Sequence, residues 1–169
     1  FHNHDIKNKF AFFHAFGMTC NAGHGKLHTS QHHIEEVLYS FGYTIEHENV
    51  YYSKALEQNV INAKSDVEIK YSEMNPKGLL EFEICAEGAN VGAGELVILP
   101  QKTIAYLKFI YVKKDFKRKG YASETLRSIF AFLYQQGIKR FDTDTASGNV
   151  IAQKLYEKMG FVNMGRTRS

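Results

Sequence analysis

A predicted strand-to-helix junction carries the first residues that could do chemistry. Positions 113–119 hold five basic residues in a window of seven, and the apolar run that ends at Val112 is typical of a buried strand. Gly120 and Ala122 follow, where an amphipathic helix begins. Because glycine allows backbone N–H groups to approach a ligand and a helix N-terminus is positive, this loop suits a pyrophosphate. A solvated charge run beside a plain tight turn would explain the same residues, so the loop alone does not decide.

A second segment makes the interpretation specific. Residues 149–161 read Asn-Val-Ile-Ala-Gln-Lys-Leu-Tyr-Glu-Lys-Met-Gly-Phe, and residues 117–122 read Lys-Arg-Lys-Gly-Tyr-Ala. These segments resemble two motifs of the GNAT superfamily of acetyl-CoA-dependent N-acetyltransferases, and they follow each other along the chain as the motifs do in the family. Residues 149–161 match the helix Asn-x-x-Ala-x-x-Leu-Tyr-x-x-x-Gly-Phe, and residues 117–122 match the acyl-CoA loop Arg/Gln-x-x-Gly-x-Gly/Ala. The resemblance covers about residues 79–161, including a glycine-containing hairpin over 87–99. Lys117 departs from the pattern, because the family has Arg or Gln there.

The resemblance implies a cosubstrate, acetyl-CoA, and a set of binding residues. The phosphates would lie on the loop and the helix start, the pantetheine arm would pair with the end of the preceding strand, and one residue would contact the cofactor from the later helix. The residues expected in these roles are Ile110, Tyr111, Val112, Lys117, Arg118, Lys119, Gly120, Tyr121, Ala122, Ser123 and Asn149.

The resemblance also implies a catalytic residue, Tyr156. A neutral amine would attack the thioester directly, and Tyr156 would protonate the departing thiolate. A phenol with an unperturbed pKa of about 10 suits a thiolate whose pKa is about 8.5. The alternative role for Tyr156 is a packing aromatic with a hydrogen-bonded hydroxyl.

The general base is left open. Many family members use a glutamate on the strand that leads to the acyl-CoA loop, but residues 103–112 contain no carboxylate. The acidic residues on neighbouring predicted strands are Glu81, Glu83, Glu95, Asp142 and Asp144. A solvated strand face would carry the same residue types, so none of them is assigned.

Composition limits the class of protein. The chain has 169 residues, of which 44% are hydrophobic and 23% charged, with two cysteines and a net charge of +3. These values are typical of a globular domain in a reducing compartment and do not favour nucleic acid, and no run approaches the roughly 18 apolar residues of a membrane span. We therefore expect a cytoplasmic protein with no nucleic-acid or membrane partner and an undetermined oligomeric state. The resemblance implies that the acceptor is a small-molecule or peptide amine. The start at Phe1 is expected to be a trimmed one.

Periodicity predicts the elements that position these residues. Alternating or continuous apolar residues predict strands over 67–71, 80–84, 91–99 and 103–112, followed by a helix that ends near Gly137, a strand, a second helix and a last strand. The order in this part is β-β-β-β-α-β-α-β. The expected fold class is α/β (α+β), and the resemblance specifies a mixed, mostly antiparallel sheet with flanking helices and a splayed strand pair.

The first part of the chain resembles the second. Two helical segments, each ending in a glycine, recur about 120 residues apart, which places Leu38 opposite Tyr156. This favours a tandem arrangement in which residues 1–60 are the C-terminal half of a degenerate repeat and residues 65–169 are the acyl-CoA-binding catalytic domain. The alternative is a single domain whose first two helices are the family's substrate-side helices.

Histidines are confined to the first part. Cys20, His24, His28 and His32 recur at every fourth residue, a spacing that would align metal ligands on a helix. Glycines at positions 23 and 25 argue against one continuous helix there, so we expect no required metal. Two function classes remain, an N-acetyltransferase and a degenerate domain that binds acyl-CoA or a partner without turnover.

Overall fold

The computed structural model describes residues 26–57, 66–99 and 103–168. In these ranges the elements follow one another as β1 (Leu27–His28), α1 (His32–Ser40), β2 (Glu48–Ala55), β3 (Glu68–Tyr71), β4 (Leu79–Ala86), β5 (Ala89–Leu99), β6 (Ile104–Val112), α2 (Tyr121–Gln135), β7 (Arg140–Ala146), α3 (Val150–Lys158) and β8 (Val162–Arg168). The order predicted for the later part of the chain, β3 to β8, is confirmed. Cys20, His24 and the helical pattern before Gly17 lie outside the described residues.

The strands form one sheet in the order β1-β8-β2-β7-β6-β5-β4-β3. Neighbouring strands are antiparallel except β6 and β7, which run parallel. Helix α2 connects these two, because parallel neighbours need a crossover that returns the chain to the same end of the sheet. The predicted fold class, a mixed and mostly antiparallel sheet with flanking helices, is confirmed.

The two faces of the sheet differ in character. Helices α2 and α3 pack on one face, where the predicted helical stripe of α2 is buried in the main core; it consists of Leu126, Ile129, Phe130 and Leu133. The opposite face has a smaller buried cluster of Tyr51, Val97 and Tyr106. Glu81 and Glu83 are exposed there, since they alternate with buried residues of β4. We call these faces the helix face and the open-side face.

Strand β2 comes from the first part of the chain but lies between β7 and β8, antiparallel to both. It begins at Glu48, whose carboxylate accepts from the Arg168 guanidinium at 3.0 Å, and the same guanidinium pairs with Glu35 of α1 at 2.9 Å. Strand β2 follows α1 and strand β8 follows α3, the two helices that the repeat hypothesis aligns. These two strands are neighbours in the sheet. The division into a remnant over 1–60 and a catalytic domain over 65–169 stays a prediction.

Candidate active site

Strands β6 and β7 part from each other halfway along their length. Their pairing runs from Ile104 opposite Arg140 to Leu107 opposite Thr143, and no later residue of these two described strands is paired with the other. At this last pair the Thr143 hydroxyl donates a hydrogen bond to the Leu107 carbonyl oxygen at 3.1 Å. The splayed strand pair expected from the sequence is confirmed.

A β-bulge accompanies this separation. The register between β5 and β6 shifts after Glu95, so that Lys108 has no residue opposite it. A bulge bends its strand and increases the local twist, which explains why β6 turns away from β7 directly after Leu107. Lys108 forms an ion pair with Glu95 of β5. The result is a V-shaped gap whose apex lies at Leu107 and Thr143.

The three residues expected to pair with pantetheine line one side of this gap. Ile110, Tyr111 and Val112 pair with β5 on one side, whereas the pairing of β6 with β7 has already ended. An unpaired strand edge presents N–H and C=O groups that can bind an extended ligand as an added strand would. On β5, a Cβ atom at Gly92 would overlap the Tyr111 carbonyl oxygen, so the glycine permits the close approach of the two strands here.

The start of α2 follows the open end of the gap. Gly120 precedes the helix with a φ of 91°, in the left-handed region that glycine occupies readily. The Ser123 N–H donates to the Gly120 carbonyl at 2.9 Å, so the N–H groups of Tyr121 and Ala122 come before the first helical hydrogen bond and are available to a ligand. The Tyr121 side chain points elsewhere, because its hydroxyl donates to Glu87 at 2.9 Å.

The loop that leads into this helix start carries three consecutive basic residues, Lys117, Arg118 and Lys119. Lys117 and Arg118 are exposed and form no ion pair with any described residue. Arg118 has a φ of 65°, which is uncommon for a residue with a Cβ. The Lys119 ammonium lies 5.4 Å from the centre of the Phe116 ring. Cations beside a helix N-terminus favour an anion there. Binding of phosphate by these residues stays a prediction.

Tyr156 of α3 lies on the helix face, close to the apex of the gap. Its side chain is buried, and its ring centre is 5.5 Å from that of Phe161. Burial raises the pKa of the Tyr156 hydroxyl, an interaction with Thr143 lowers it, and the negative charge of Asp144 raises it, with burial the largest effect. The resemblance implied a phenol with an unperturbed pKa, whereas the buried Tyr156 is a weaker acid that is neutral at physiological pH.

Tyr52 is a site residue that sequence reasoning missed. It lies on β2, is fully buried, and its ring centre is 5.6 Å from that of Tyr156. Its hydroxyl donates to Glu157 at 3.1 Å, and burial, followed by this hydrogen bond, raises the pKa of Tyr52 to about 12. No motif contains Tyr52, and the only sequence signal at this position is the pair of adjacent aromatic residues Tyr51 and Tyr52.

Asn149 caps helix α3. Its side-chain oxygen accepts from the Ala152 N–H at 3.2 Å, and its amide donates to the Thr145 hydroxyl at 3.1 Å. At the other end of the helix the Phe161 N–H donates to the Tyr156 carbonyl at 3.0 Å. Asn149 and Phe161, the first and last residues of the motif, therefore stabilise the two ends of the helix. A contact between Asn149 and a cofactor stays a prediction.

The acidic candidates nearest the gap are already paired with cations. Asp142 accepts from Arg140 at 3.0 Å and from the Ser53 hydroxyl at 2.6 Å. Asp144 forms an ion pair with Lys26, as Glu95 does with Lys108. Glu81 and Glu83 lie on β4, with β5 between them and the gap. The geometry therefore favours Asp142, Asp144 and Glu95 over the β4 residues as groups that could meet an acceptor.

The described residues hold no group of three His, Cys, Asp or Glu side chains suited to a metal ion. His28 is buried, and its ring nitrogens contact the Ser30 hydroxyl at 2.8 Å and the Met164 carbonyl at 3.0 Å. Cys20 and His24 lie outside these residues, so the absence of a required metal stays a prediction. None of the helices in the described ranges has the length and apolar content needed to cross a membrane.

Comparison with known families gives a match over most of the chain. The model of the "Acetyltransferase (GNAT) family" matches residues 33–161. The match extends from α1, in the first part of the chain, to Phe161, which lies between α3 and β8. A comparison with curated proteins finds no match.

Solved structures share the fold. A GCN5-related N-acetyltransferase from Sphaerobacter thermophilus aligns with a TM-score of 0.61 and 12% identity over 85% of this chain and 56% of its own. One from Kribbella flavida aligns with a TM-score of 0.61 and 12% identity over 80% and 62%. An IAA acetyltransferase from Bacillus cereus ATCC 14579 gives 0.50 and 19% over 57% and 77%. The chain spans less than two thirds of the length of the first two, and at these identities the likeness shows the fold alone.

Proposed function

Because the chain belongs to the acetyltransferase (GNAT) family, whose model matches residues 33–161, we propose that it is an N-acetyltransferase. It would move the acetyl group of acetyl-CoA to a primary amine by direct attack. The observation that carries the proposal is the parting of β6 and β7 at Leu107 and Thr143. The buried Tyr156 lies beside that point, because its ring centre is 5.6 Å from that of Tyr52, the cross-strand partner of Thr143.

The acyl donor binds along the gap in this proposal. Its pantetheine arm pairs with the main chain of Ile110–Val112, as an added strand would. Its pyrophosphate accepts hydrogen bonds from the N–H groups of Tyr121 and Ala122, with Lys117 and Arg118 supplying positive charge. This places the thioester at the deep end of the gap, near the apex. An acyl-CoA meets these two requirements, an extended arm and a multiply charged head, and we infer acetyl-CoA from the family to which the chain belongs.

The transfer needs little beyond positioning and a proton donor. The amine nitrogen attacks the thioester carbonyl carbon, the new N–C bond forms, and the C–S bond breaks. Tyr156 gives its proton to the leaving thiolate, and its raised pKa keeps the phenol protonated until that charge develops. The products are an N-acetyl amide and the CoA thiol. The proton that the amine nitrogen loses on acylation replaces the one that Tyr156 has given to the thiolate.

The acceptor is a small-molecule or peptide amine that approaches from the open-side face. On that face Asp142, Asp144 and Glu95 provide carboxylates near the gap, each paired with a cation of the chain that a cationic acceptor would have to displace. We infer a cytoplasmic location from the low cysteine content. No nucleic acid or membrane partner is part of the proposal.

A second function, acyl-CoA binding without turnover, has one observation in its favour. Each of the carboxylates nearest the gap is paired with a cation of the chain itself, so none is a free general base. Under this alternative the domain would bind the donor as a sensor or a structural unit. Lys117 at a position where the family has Arg or Gln favours it as well.

One experiment separates the two. Calorimetric titration with acetyl-CoA measures binding, and thiol release is followed with polyamine, aminoglycoside, peptide N-terminus and lysine acceptors. Thiol release above the amine-free rate for one class supports the enzyme. Binding with no thiol release for any class supports the alternative, and absence of binding contradicts both.

A further inference from the structure

The side chain of Lys26 places an amine at the edge of the candidate site. Its Nζ forms an ion pair with Asp144, and the Asn49 amide, oriented with its oxygen toward Lys26, accepts from the same Nζ at 2.7 Å. The Lys26 side chain is 13% exposed and that of Asp144 is 7% exposed. This is a largely buried ammonium held by two oxygen acceptors, unlike the solvated lysines of the surface.

The position of Asp144 relates this ammonium to the gap. Asp144 follows Thr143, the last residue of β7 that pairs with β6. Successive side chains of a strand point to opposite faces, so Asp144 faces the open side whereas Thr143 and Tyr156 lie on the helix face. Tyr52, the cross-strand partner of Thr143, has its ring centre 5.6 Å from that of Tyr156, so Tyr156 and Asp144 lie on opposite faces of the same part of β7. The Lys26 amine and the Tyr156 hydroxyl therefore flank the apex of the gap from opposite faces.

We propose that Lys26 is a self-acetylation site, with its Nζ occupying the place of the acceptor amine beside Asp144. The inference rests on the proposed acetyltransferase function and deepens it, because it names an acceptor within the chain. Lys108 is the other lysine near the apex, but it lies on β6 and pairs with Glu95 of β5. Lys26 instead pairs with Asp144, which lies on β7, the other strand of the gap.

The step is balanced without a further reactant. Asp144 takes one proton from the Lys26 ammonium, the neutral amine attacks the thioester carbonyl carbon, the N–C bond forms and the C–S bond breaks. Of the two protons that Nζ loses, one passes to solvent through Asp144. The other replaces the proton that Tyr156 gives to the thiolate. The product is a neutral acetyl-lysine, which ends the ion pair with Asp144 and leaves that carboxylate open to an external amine.

The test incubates the full chain with acetyl-CoA and follows acetylation of each lysine by peptide mass spectrometry. Lys158, which is exposed on α3, reports the uncatalysed rate within the same molecule, and Lys108 is the comparison near the apex. We expect Lys26 to be acetylated at least tenfold faster than Lys158, with a rate constant that does not change when the protein is diluted. Equal rates at Lys26 and Lys158, or faster reaction at Lys108, would overturn the proposal.

Two variants test the chemistry. Tyr156→Phe should slow acetylation of Lys26 on the order of 10²-fold or more and leave Lys158 unchanged. Lys26→Arg keeps the positive charge beside Asp144 but has no nucleophilic amine, so it should bind acetyl-CoA and show no acetylation at position 26. If acetyl-CoA binds and an external amine is acetylated while Lys26 is not, the self-acetylation proposal fails and the enzyme proposal stands. If acetyl-CoA does not bind, both fail.

Discussion

The rings of Tyr52 and Tyr156 lie 5.6 Å apart in the core of the candidate site, although they come from distant parts of the chain. Tyr52 is on β2, which fills the position between β7 and β8, and Tyr156 is on α3. The Tyr52 hydroxyl is directed away from the gap, to Glu157 at 3.1 Å. Strand β2 therefore supplies the surface against which the proposed acid packs, and the first part of the chain contributes to the site by packing.

Tyr52→Phe should change stability in a pH-dependent way. The folded protein raises the pKa of Tyr52 to about 12, above the value of about 10 expected in the unfolded chain. The folded state thus holds the proton more tightly, so the free energy of unfolding should fall as pH rises from about 10 to about 12. The variant should lose about 1 kcal/mol at neutral pH with its hydrogen bond, and it should show a shallower decline at alkaline pH.

Urea unfolding at neutral pH and across the alkaline range provides the measurement. Tyr39→Phe, at an exposed position of α1, is the matched control and should behave as the parent does. A decline in Tyr52→Phe as steep as in the parent would mean that another tyrosine carries the effect, such as the half-buried Tyr71, whose pKa burial also raises.

Local features of the site could be predicted from the sequence, because each depends on a short stretch of chain. The helix stripe of α2 follows from its apolar spacing, and Gly120 marks a backbone position with a φ of 91°. Asn149 and Phe161 mark the ends of α3 through hydrogen bonds within a few residues. These are the features that a motif can encode.

The order of the strands and the pairing of the acids could not be predicted in the same way. A local sequence pattern carries no information on which strands are neighbours, and the insertion of β2 beside β7 depends on contacts far along the chain. For the same reason the ion pair between Asp144 and Lys26 could not be predicted from the sequence. From the sequence alone Asp144 is one of five carboxylates with no feature that favours any of them, whereas the structure pairs it with Lys26 beside the gap.

Gly120→Val should weaken acetyl-CoA binding through the backbone. Space is available, since the nearest atom to an added Cβ is a Glu124 carboxylate oxygen at 3.9 Å, but a β-branched residue is strained at a φ of 91°. A strain of about 1–3 kcal/mol would shift the loop out of its anion-binding geometry. Gly137→Val, at a φ of 78° with open space at the other end of α2, introduces the same strain away from the site.

Titration calorimetry and thermal unfolding of both glycine variants give the answer. Both should lose stability to a similar extent, and only Gly120→Val should lose affinity for acetyl-CoA. Equal affinity in the two variants would place the pyrophosphate somewhere other than the start of α2.

Replacing Lys117 and Arg118 together by Gln should weaken acetyl-CoA binding moderately and flatten its dependence on salt. Both side chains are exposed, so each contributes about 0.3–1 kcal/mol to an anion at a helix N-terminus, and salt screens such exposed charges. The matched control replaces Lys154 and Lys158, exposed lysines of α3, in the same way. Dissociation constants at low and high salt should then differ less in the loop variant than in the control, and an unchanged salt dependence would contradict the assignment.

Tyr156→Phe should abolish most turnover while acetyl-CoA affinity is nearly unchanged. The ring contacts with Tyr52 and Phe161 remain, so the fold is kept and only the proton donor is lost. Loss of a general acid lowers rates on the order of 10²–10⁴-fold, and the loss should appear in kcat and kcat/KM alike, because the interaction exists only in the transition state. Tyr39→Phe again serves as the control for a tyrosine hydroxyl outside the site. Full turnover of Tyr156→Phe on an acceptor that the parent acetylates would show that solvent or another residue protonates the thiolate.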